Sequence, residues 1–299
     1  MKDLAIIGCG PAGLTAGIYA LRRGLSVTIY ERYGVGGKAA LTDIIENYPG
    51  VSSVSGYQLT EEMFAQVQAL GGEIDYSEVS KIDKIDDFVL TTTSGEYRYK
   101  CIIVATGTTE RRLGIEDNFI GKGVSFCAVC DGNFYKGKRV AVVGGGNTAV
   151  HDALYLSKIC SEVYLLHRRK GFRADNVLLG ELATRGNVKI LTDVVIESLS
   201  GQRHLENINI NNLITAEKSS IEVDGLFVAV GVTPNSQLVE GLCETKDGYI
   251  VTDSKGNTSL AGLFSAGDVT TTPLKQVVTA CANGAISAES VAEYIDKIS

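Results

Sequence analysis

Residues 2–13 read KDLAIIGCGPAG and residues 138–149 read KRVAVVGGGNTA. In each, a short apolar run, Leu4–Ile7 or Val140–Val143, stops at a cluster of glycines. A helical pattern follows, to about Arg23 in the first copy and about Lys158 in the second, and then a second apolar run, Val27–Tyr30 or Val163–Leu166. This is strand, glycine turn, helix, strand, written twice. Gly8, Gly10 and Gly13 fit G-x-G-x-x-G, and Gly144, Gly146 and Ala149 fit G-x-G-x-x-A. In that motif the first glycine allows a tight turn, the second admits a pyrophosphate, and the third small residue lets helix and strand pack closely. The helix start offers unpaired N–H groups to an anion, from Ala12 onward in one copy, where Pro11 sets the first turn without a donor of its own, and at Asn147 and Thr148 after Gly145 in the other. The bland alternative is a glycine turn with no ligand, against which the strand-to-helix context weighs.

The copies differ where the second strand ends. Glu31 stands 23 residues after Gly8, about where an acid hydrogen-bonds ribose hydroxyls. The same spacing from Gly144 reaches His167, followed by Arg168, Arg169 and Arg173. A carboxylate suits a free ribose and repels a 2′-phosphate, whereas guanidinium forks suit a phosphate. The first copy is therefore expected to hold FAD or NAD and the second NADP(H). A merely solvated basic stretch is the alternative at His167–Arg173.

A third element also repeats. Cys101–Ala105 leads into Thr106 and Gly107, and Leu226–Val230 leads into Gly231. A final apolar run, Leu263–Ala266, ends at Gly267 and Asp268, and a helical stretch runs from about Gln276 to Ile298. The expected fold is α/β, with two Rossmann-like dinucleotide-binding domains, the second inserted into the first. Residues 1–112 and 236–299 form the first and 113–235 the second.

Composition sets the outer limits. The 299 residues carry a net charge of −7, with 44% hydrophobic and 21% charged residues. That suits a globular chain and argues against nucleic acid as main partner. No apolar stretch approaches a membrane span. The start faintly resembles a secretion signal, but Leu4–Ile7 is too short and glycines close it. A reducing cytoplasm is the expected setting, with the seven cysteines mostly thiols.

Residues 126–133 read FCAVCDGN. Zinc needs four ligands and this pair supplies two; no second closely spaced pair exists among the remaining cysteines and histidines. No metal is expected. A cytosolic setting disfavours a permanent staple. A working dithiol fits better, with Asp131 placed to pass a proton, or else serving as a turn residue with Gly132. Cys9, Cys101, Cys160, Cys243 and Cys281 are expected as packing positions, and His151 and His204 as surface or packing residues.

With these motifs in order, the chain closely resembles the low-molecular-weight bacterial thioredoxin reductases over almost its whole length. The resemblance rests on Gly8–Gly13, GGKAALTDIIENYPG at 36–50, Ala105–Gly107, CAVCDG at 127–132, GGGNTAV at 144–150, HRRKGFRA at 167–174, GVTPN at 231–235, SAGDV at 265–269 and KQVVTA at 275–280. It implies a homodimeric enzyme in which NADPH reduces FAD, FAD reduces the protein disulfide, and the dithiol reduces thioredoxin. By position Cys130 faces the flavin, Cys127 attacks the partner disulfide and Asp131 is the acid/base. FAD contacts are implied at the first glycine loop and at Glu31, Arg32, Gly36, Gly37, Lys38 and Asn47. They continue at Thr106, Gly107, Gly267, Asp268, Lys275, Gln276 and Val277. The NADPH phosphate falls to His167, Arg168, Arg169 and Arg173.

Four positions depart from the family pattern. Lys38 stands where Gln is usual, Lys275 where Arg is common, and His151 where an acid is frequent. Asn133 replaces the first aromatic of a loop that helps dock thioredoxin, though Phe134 and Tyr135 remain. A glutaredoxin-like or peroxiredoxin-type partner, or electrons from ferredoxin, are the alternatives within enzymes; a non-catalytic NADP-binding redox sensor is the alternative outside them. One dithiol must meet both flavin and partner, so the NADP domain is expected to rotate as a rigid body about residues near 112–116 and 234–240. The chain starts at its first strand, which speaks against a fused N-terminal module.

Overall fold

The computed structural model describes residues 1–42 and 44–298, so Asp43 in the 36–50 stretch lies outside the described residues. The chain divides into two compact units, one of residues 1–109 with 233–299 and one of 110–232. Each junction falls three residues earlier than the boundary read from the sequence.

The first unit opens with β1 (Lys2–Ile7), α1 (Pro11–Arg22) and β2 (Val27–Tyr30), then α2 (Gly56–Ala69) and β3 (Glu73–Asp75). A meander of β4 (Val79–Lys84), β5 (Phe88–Thr92) and β6 (Gly95–Val104) follows, and β7 (Thr108–Glu110) leads out. β1 pairs in parallel with β2 and β6, and β2 with β3. β6 lies beside β1 on one edge and has two successive partners along the other. Its first half pairs antiparallel with β5, from Gly95 to Tyr99, and its second half lies parallel to the returning strand at Ile102–Val104.

The second unit repeats the plan. It holds β8 (Val124–Ser125), a helical turn α3 (Ala128–Asp131), β9 (Arg139–Gly144), α4 (Asn147–Ser157), β10 (Glu162–Leu166), α5 (Asn176–Ala183) and β11 (Val188–Leu191). The meander β12 (Val194–Ser200), β13 (Asn207–Asn212) and β14 (Lys218–Glu222) precedes β15 (Gly225–Ala229). The parallel order is β11-β10-β9-β15-β8. β16 (Val232–Pro234) pairs with β7 as a two-stranded ribbon where the chain crosses. Back in the first unit, a small hairpin, β17 (Thr245–Lys246) and β18 (Tyr249–Ile250), precedes β19 (Leu263–Ser265) and α6 (Val277–Ile298).

Parallel strands are covered on both faces, which is why these runs are continuously apolar rather than alternating. Successive side chains still point to opposite sides. Leu4 and Ile6 join α1 and α6 in one core, while Ala5 and Ile7 join the meander in another. In the second unit Val140 and Val142 face α4, and Ala141 faces the meander. Small residues let α1 and α6 approach closely: a Cβ on Gly284 would lie 2.2 Å from the Ala12 carbonyl oxygen. Cys101, read as a strand start, sits within β6; the strand begins at Gly95, and its first residues are polar and mostly exposed.

Candidate functional site

The two glycine loops match position by position. A Cβ on Gly8, at φ +106°, would lie 2.4 Å from the Ala105 carbonyl oxygen; one on Gly144 would lie 2.4 Å from that of Ala229. The third motif position holds helix against loop. A Cβ on Gly13 would lie 1.9 Å from the Gly8 carbonyl oxygen, and the Ala149 methyl group is 2.7 Å from where a Gly144 Cβ would stand. The second position behaves differently. Gly10 caps α1 at φ −79° and Gly146 caps α4 at φ −102°. A Cβ on Gly10 would meet only the Gly36 oxygen at 4.0 Å, and one on Gly146 would meet nothing within 4 Å. Internal packing therefore does not demand glycine there. A group lying across the helix start would have room there, and neither helix has a side-chain cap over its first N–H groups. Both cradles fit a dinucleotide pyrophosphate.

Around the first cradle, Glu31 ends β2 with its carboxylate accepting from the N–H groups of Cys9 (3.0 Å) and Tyr33 (2.9 Å). Arg32 points into an ion pair with Glu78 at 2.6 Å. The Gly36–Gly37 pair folds over the loop: Gly36 N–H donates to the Cys9 oxygen at 2.8 Å, and a Gly37 Cβ would stand 3.3 Å from the Gly10 Cα. Lys38 Nζ donates to Thr108 Oγ1 at 2.8 Å and lies 3.9 Å from Asp268. Lys275 Nζ donates to the carbonyls of Asp268 (2.7 Å) and Thr270 (3.1 Å) and sits 4.2 Å over the Tyr249 ring. Burial holds its pKa below the ordinary lysine value. Asn47 donates to Gln276 at 3.0 Å, beside Val277 at the start of α6. Gly267, at φ +77°, backs onto Ala12.

Asn235, given no role of its own in the sequence, clasps this site. Its Nδ2 donates to the Thr106 carbonyl at 2.9 Å, its own carbonyl accepts from Thr106 Oγ1 at 2.6 Å, and its N–H donates to the Gly107 carbonyl at 3.0 Å.

In the second unit, residues 167–175 are clipped to the glycine loop. Arg173 N–H donates to the Gly145 oxygen at 2.7 Å, and Asn147 exchanges two bonds with Asp175, both 2.9 Å. Arg168, Arg169 and Arg173 are exposed beside α4's start. His167 is not with them at the surface. Its ring is buried, stacks on Phe172 at 4.8 Å and lies against the loop, so that a Cβ on Gly145 would stand 2.0 Å from its Cε1. Burial first, and then the charges of Arg169, Arg168 and Arg173, hold its pKa below the ordinary value. The structure gives His167 the geometry of a loop support.

Cys127 and Cys130 form a disulfide, Cα–Cα 5.3 Å. Cys127 caps the helical turn, its Sγ accepting from Cys130 N–H at 3.2 Å. Asp131 follows, half-buried, accepting from Ser125 Oγ at 2.6 Å; the same hydroxyl accepts from Cys127 N–H at 3.1 Å. Ser125 thus ties the acid to the cysteine turn, a contact with no sequence motif to announce it. Gly132 presses onto α4, where a Cβ would stand 2.8 Å from the Tyr155 ring. The other five cysteines are free. Burial pushes the thiols of Cys9 and Cys101 up to about 12 and that of Cys160 to about 11, which keeps them inert. Among the described residues no group of three His, Cys, Asp or Glu side chains could hold a metal, and no helix is long and apolar enough to cross a membrane.

Two dinucleotide cradles of unlike polarity, one sharing its unit with an acid-flanked Cys-x-x-Cys disulfide, define a nucleotide-dependent disulfide oxidoreductase. The chain matches the family described as pyridine nucleotide-disulphide oxidoreductase over residues 2–284 and belongs to it. Membership implies a flavin and a pyridine nucleotide. The chain is 40% identical to a thioredoxin reductase of Helicobacter pylori over 309 positions, covering 99% of each chain. It is 37% identical to one of Treponema pallidum over 300 positions, 99% of this chain and 98% of the relative. The crystal structure of thioredoxin reductase from Streptococcus pyogenes, 36% identical, matches over 99% of both chains with a TM-score of 0.94.

Proposed function

We propose that the chain is a thioredoxin-disulfide reductase, passing an electron pair from NADPH through FAD to the Cys127–Cys130 disulfide and on to thioredoxin. The observation that carries this is the Cys127–Cys130 disulfide with Asp131 beside it, in the unit whose glycine loop is clipped, through Arg173 N–H, to a segment carrying three exposed arginines. The arginines suit a 2′-phosphate; Glu31 in the other unit suits free ribose hydroxyls.

FAD is assigned to the first unit, with its pyrophosphate on the start of α1, its ribose at Glu31, and Lys38, Asn47, Thr106 and Asp268 along the remainder. NADPH is assigned to the second, with its pyrophosphate on α4 and its 2′-phosphate at Arg168, Arg169 and Arg173. When bound, the flavin relays the electron pair from the nicotinamide to the disulfide. The Cys127–Cys130 bond opens and two thiol groups result. The Cys127 thiolate attacks one sulfur of the partner disulfide, forming a mixed disulfide and releasing one partner thiolate. Cys130 attacks Cys127 Sγ, restoring the ring and releasing the second thiolate. Asp131, held by Ser125, gives and recovers the proton that these thiolates need.

A dithiol that meets both flavin and partner needs the second unit to turn on the two crossings. The segment that follows the first crossing, where a bend near residues 112–116 is expected, bears on where that turn falls. Gly114 sits at φ +86°, and the fully buried Glu116 accepts from the N–H groups of Leu113 (2.7 Å) and Ile115 (2.8 Å). That segment is tied to itself, which leaves bending to the ribbon strands. A covalent lock between the units is expected to stop turnover while sparing one half-reaction; full turnover of the locked protein contradicts the rotation. A homodimer in the cytoplasm belongs to the same reading, and sedimentation of the purified protein tests the dimer.

Asn133, exposed in the docking loop, favours one second reading: the same chemistry serving another small disulfide protein. The test is NADPH-dependent reduction of thioredoxin, with Cys127→Ser and Cys130→Ser each losing at least about 100-fold. Retention of activity in either variant overturns the assignment.

A further inference from the structure

The surface beside the disulfide departs from the charge of the whole chain. Segments 124–138 and 155–161 contain four charged side chains, Asp131 and three lysines, in a protein of net charge −7. Asp131 is half-buried and engaged by Ser125. Lys136, Lys138 and Lys158 are exposed, and among the described residues none has a carboxylate partner. They are held as a group by the backbone: Gly137 N–H donates to the Ile159 oxygen at 2.8 Å, and Ser161 N–H to the Lys138 oxygen at 2.9 Å. The acids on neighbouring elements are occupied. Asp224 accepts from Arg139 N–H at 3.0 Å, Glu222 pairs with Arg139 at 2.7 Å, and Glu162 pairs with Lys189 and Tyr164. The same segment carries apolar ground, Val129 at 51% exposure between the two cysteines and Phe134 at 42% between the disulfide and Lys136 along the chain.

We infer that Lys136, Lys138 and Lys158 form a cationic rim that selects, as the disulfide partner, a small protein bearing acidic residues around its own disulfide. This rests on the disulfide-reductase reading and deepens it. A rim of one sign acts on encounter rate and partner choice more than on the chemistry at the sulfurs. It also works against the repulsion that a net negative chain exerts on an acidic partner at longer range, so low salt strengthens it.

The experiment compares the wild-type holoenzyme with the Lys136→Glu/Lys138→Glu/Lys158→Glu variant on two substrates. One is a bacterial thioredoxin with acidic residues flanking its Cys-x-x-Cys; the other is the small neutral hydroxyethyl disulfide. The rim predicts a fall in kcat/KM for thioredoxin of about tenfold or more at low salt, narrowing as salt rises, with hydroxyethyl disulfide changed by less than about twofold. The triple Lys→Arg variant is expected to keep both activities. A thioredoxin whose flanking acids are changed to lysine is expected to recover rate on the Glu variant. Equal losses on both substrates, no loss on thioredoxin, or no recovery with the charge-reversed thioredoxin overturns the rim. If the wild type reduces neither substrate with NADPH, it is the reductase reading that fails.

Discussion

At the residue scale, the proposed placing of the two nucleotides rests on the unlike ends of β2 and β10. Glu31 accepts from the N–H groups of Cys9 in the glycine loop and of Tyr33 in its own, and keeps acceptor capacity for hydroxyls. Arg168 and Arg169 are exposed just past the end of β10. Replacing either with Ala is expected to raise the KM for NADPH at least about tenfold and to leave NADH within about twofold, since only NADPH carries the phosphate. Steady-state kinetics with both nucleotides checks this; equal losses contradict the assignment. His167 shows where sequence reasoning falls short. Spacing puts it in register with Glu31, yet register says nothing of which way a ring turns. Its neighbour Phe172 and the missing Cβ at Gly145 make room for it inside.

At the element scale, each glycine motif splits into positions required by packing and one that packing leaves open and that the proposed function gives to a ligand. Gly13→Ala puts a methyl group against the Gly8 carbonyl and is expected to cost about 1–3 kcal/mol, read as a lowered Tm. Gly10→Ala has room and an ordinary φ, so Tm of the flavin-free protein is expected to hold within about 0.5 kcal/mol while flavin retention falls. Unchanged flavin binding in that variant contradicts the cradle. In α4, burial pushes the Asp152 carboxyl from 3.8 up to about 7. Folded protein therefore favours the neutral acid: that contribution is present at pH below the unfolded value and is lost as pH rises through about 7. Asp152→Asn is expected to raise Tm more at pH 8 than at pH 5, and an equal shift at both contradicts it. The parallel strands and their helices were legible because burial on both faces leaves continuous apolar runs. The meanders were not. Residues 95–100 read GEYRYK and 207–212 read NININN, polar enough to hide strands whose partners come from tertiary pairing. Ser125, Glu116 and Asn235 were missed for a related reason: each acts through backbone or side-chain bonds that only the folded chain brings together.

At the scale of the whole molecule, one chain carries two copies of a nucleotide-binding unit, and function arises from their differences. The order of units follows from β6 and β19, whose parallel pairing joins residues on either side of the inserted segment. The discontinuous first unit and continuous second unit were readable from the tail that needed a partner, to within three residues at each junction. Of the free thiols, Cys9, Cys101, Cys160 and Cys281 are buried and Cys243 is half-buried, and burial raises the pKa of each, so only Cys127 and Cys130 are expected to change state during turnover. The most direct measurement is anaerobic addition of NADPH to the flavin-bound protein, followed by absorbance and by alkylation with mass mapping. The account predicts that the flavin bleaches and that alkylation appears at Cys127 and Cys130 together, in proportion to the NADPH consumed. Bleaching by NADPH without new alkylation at those two cysteines would contradict it.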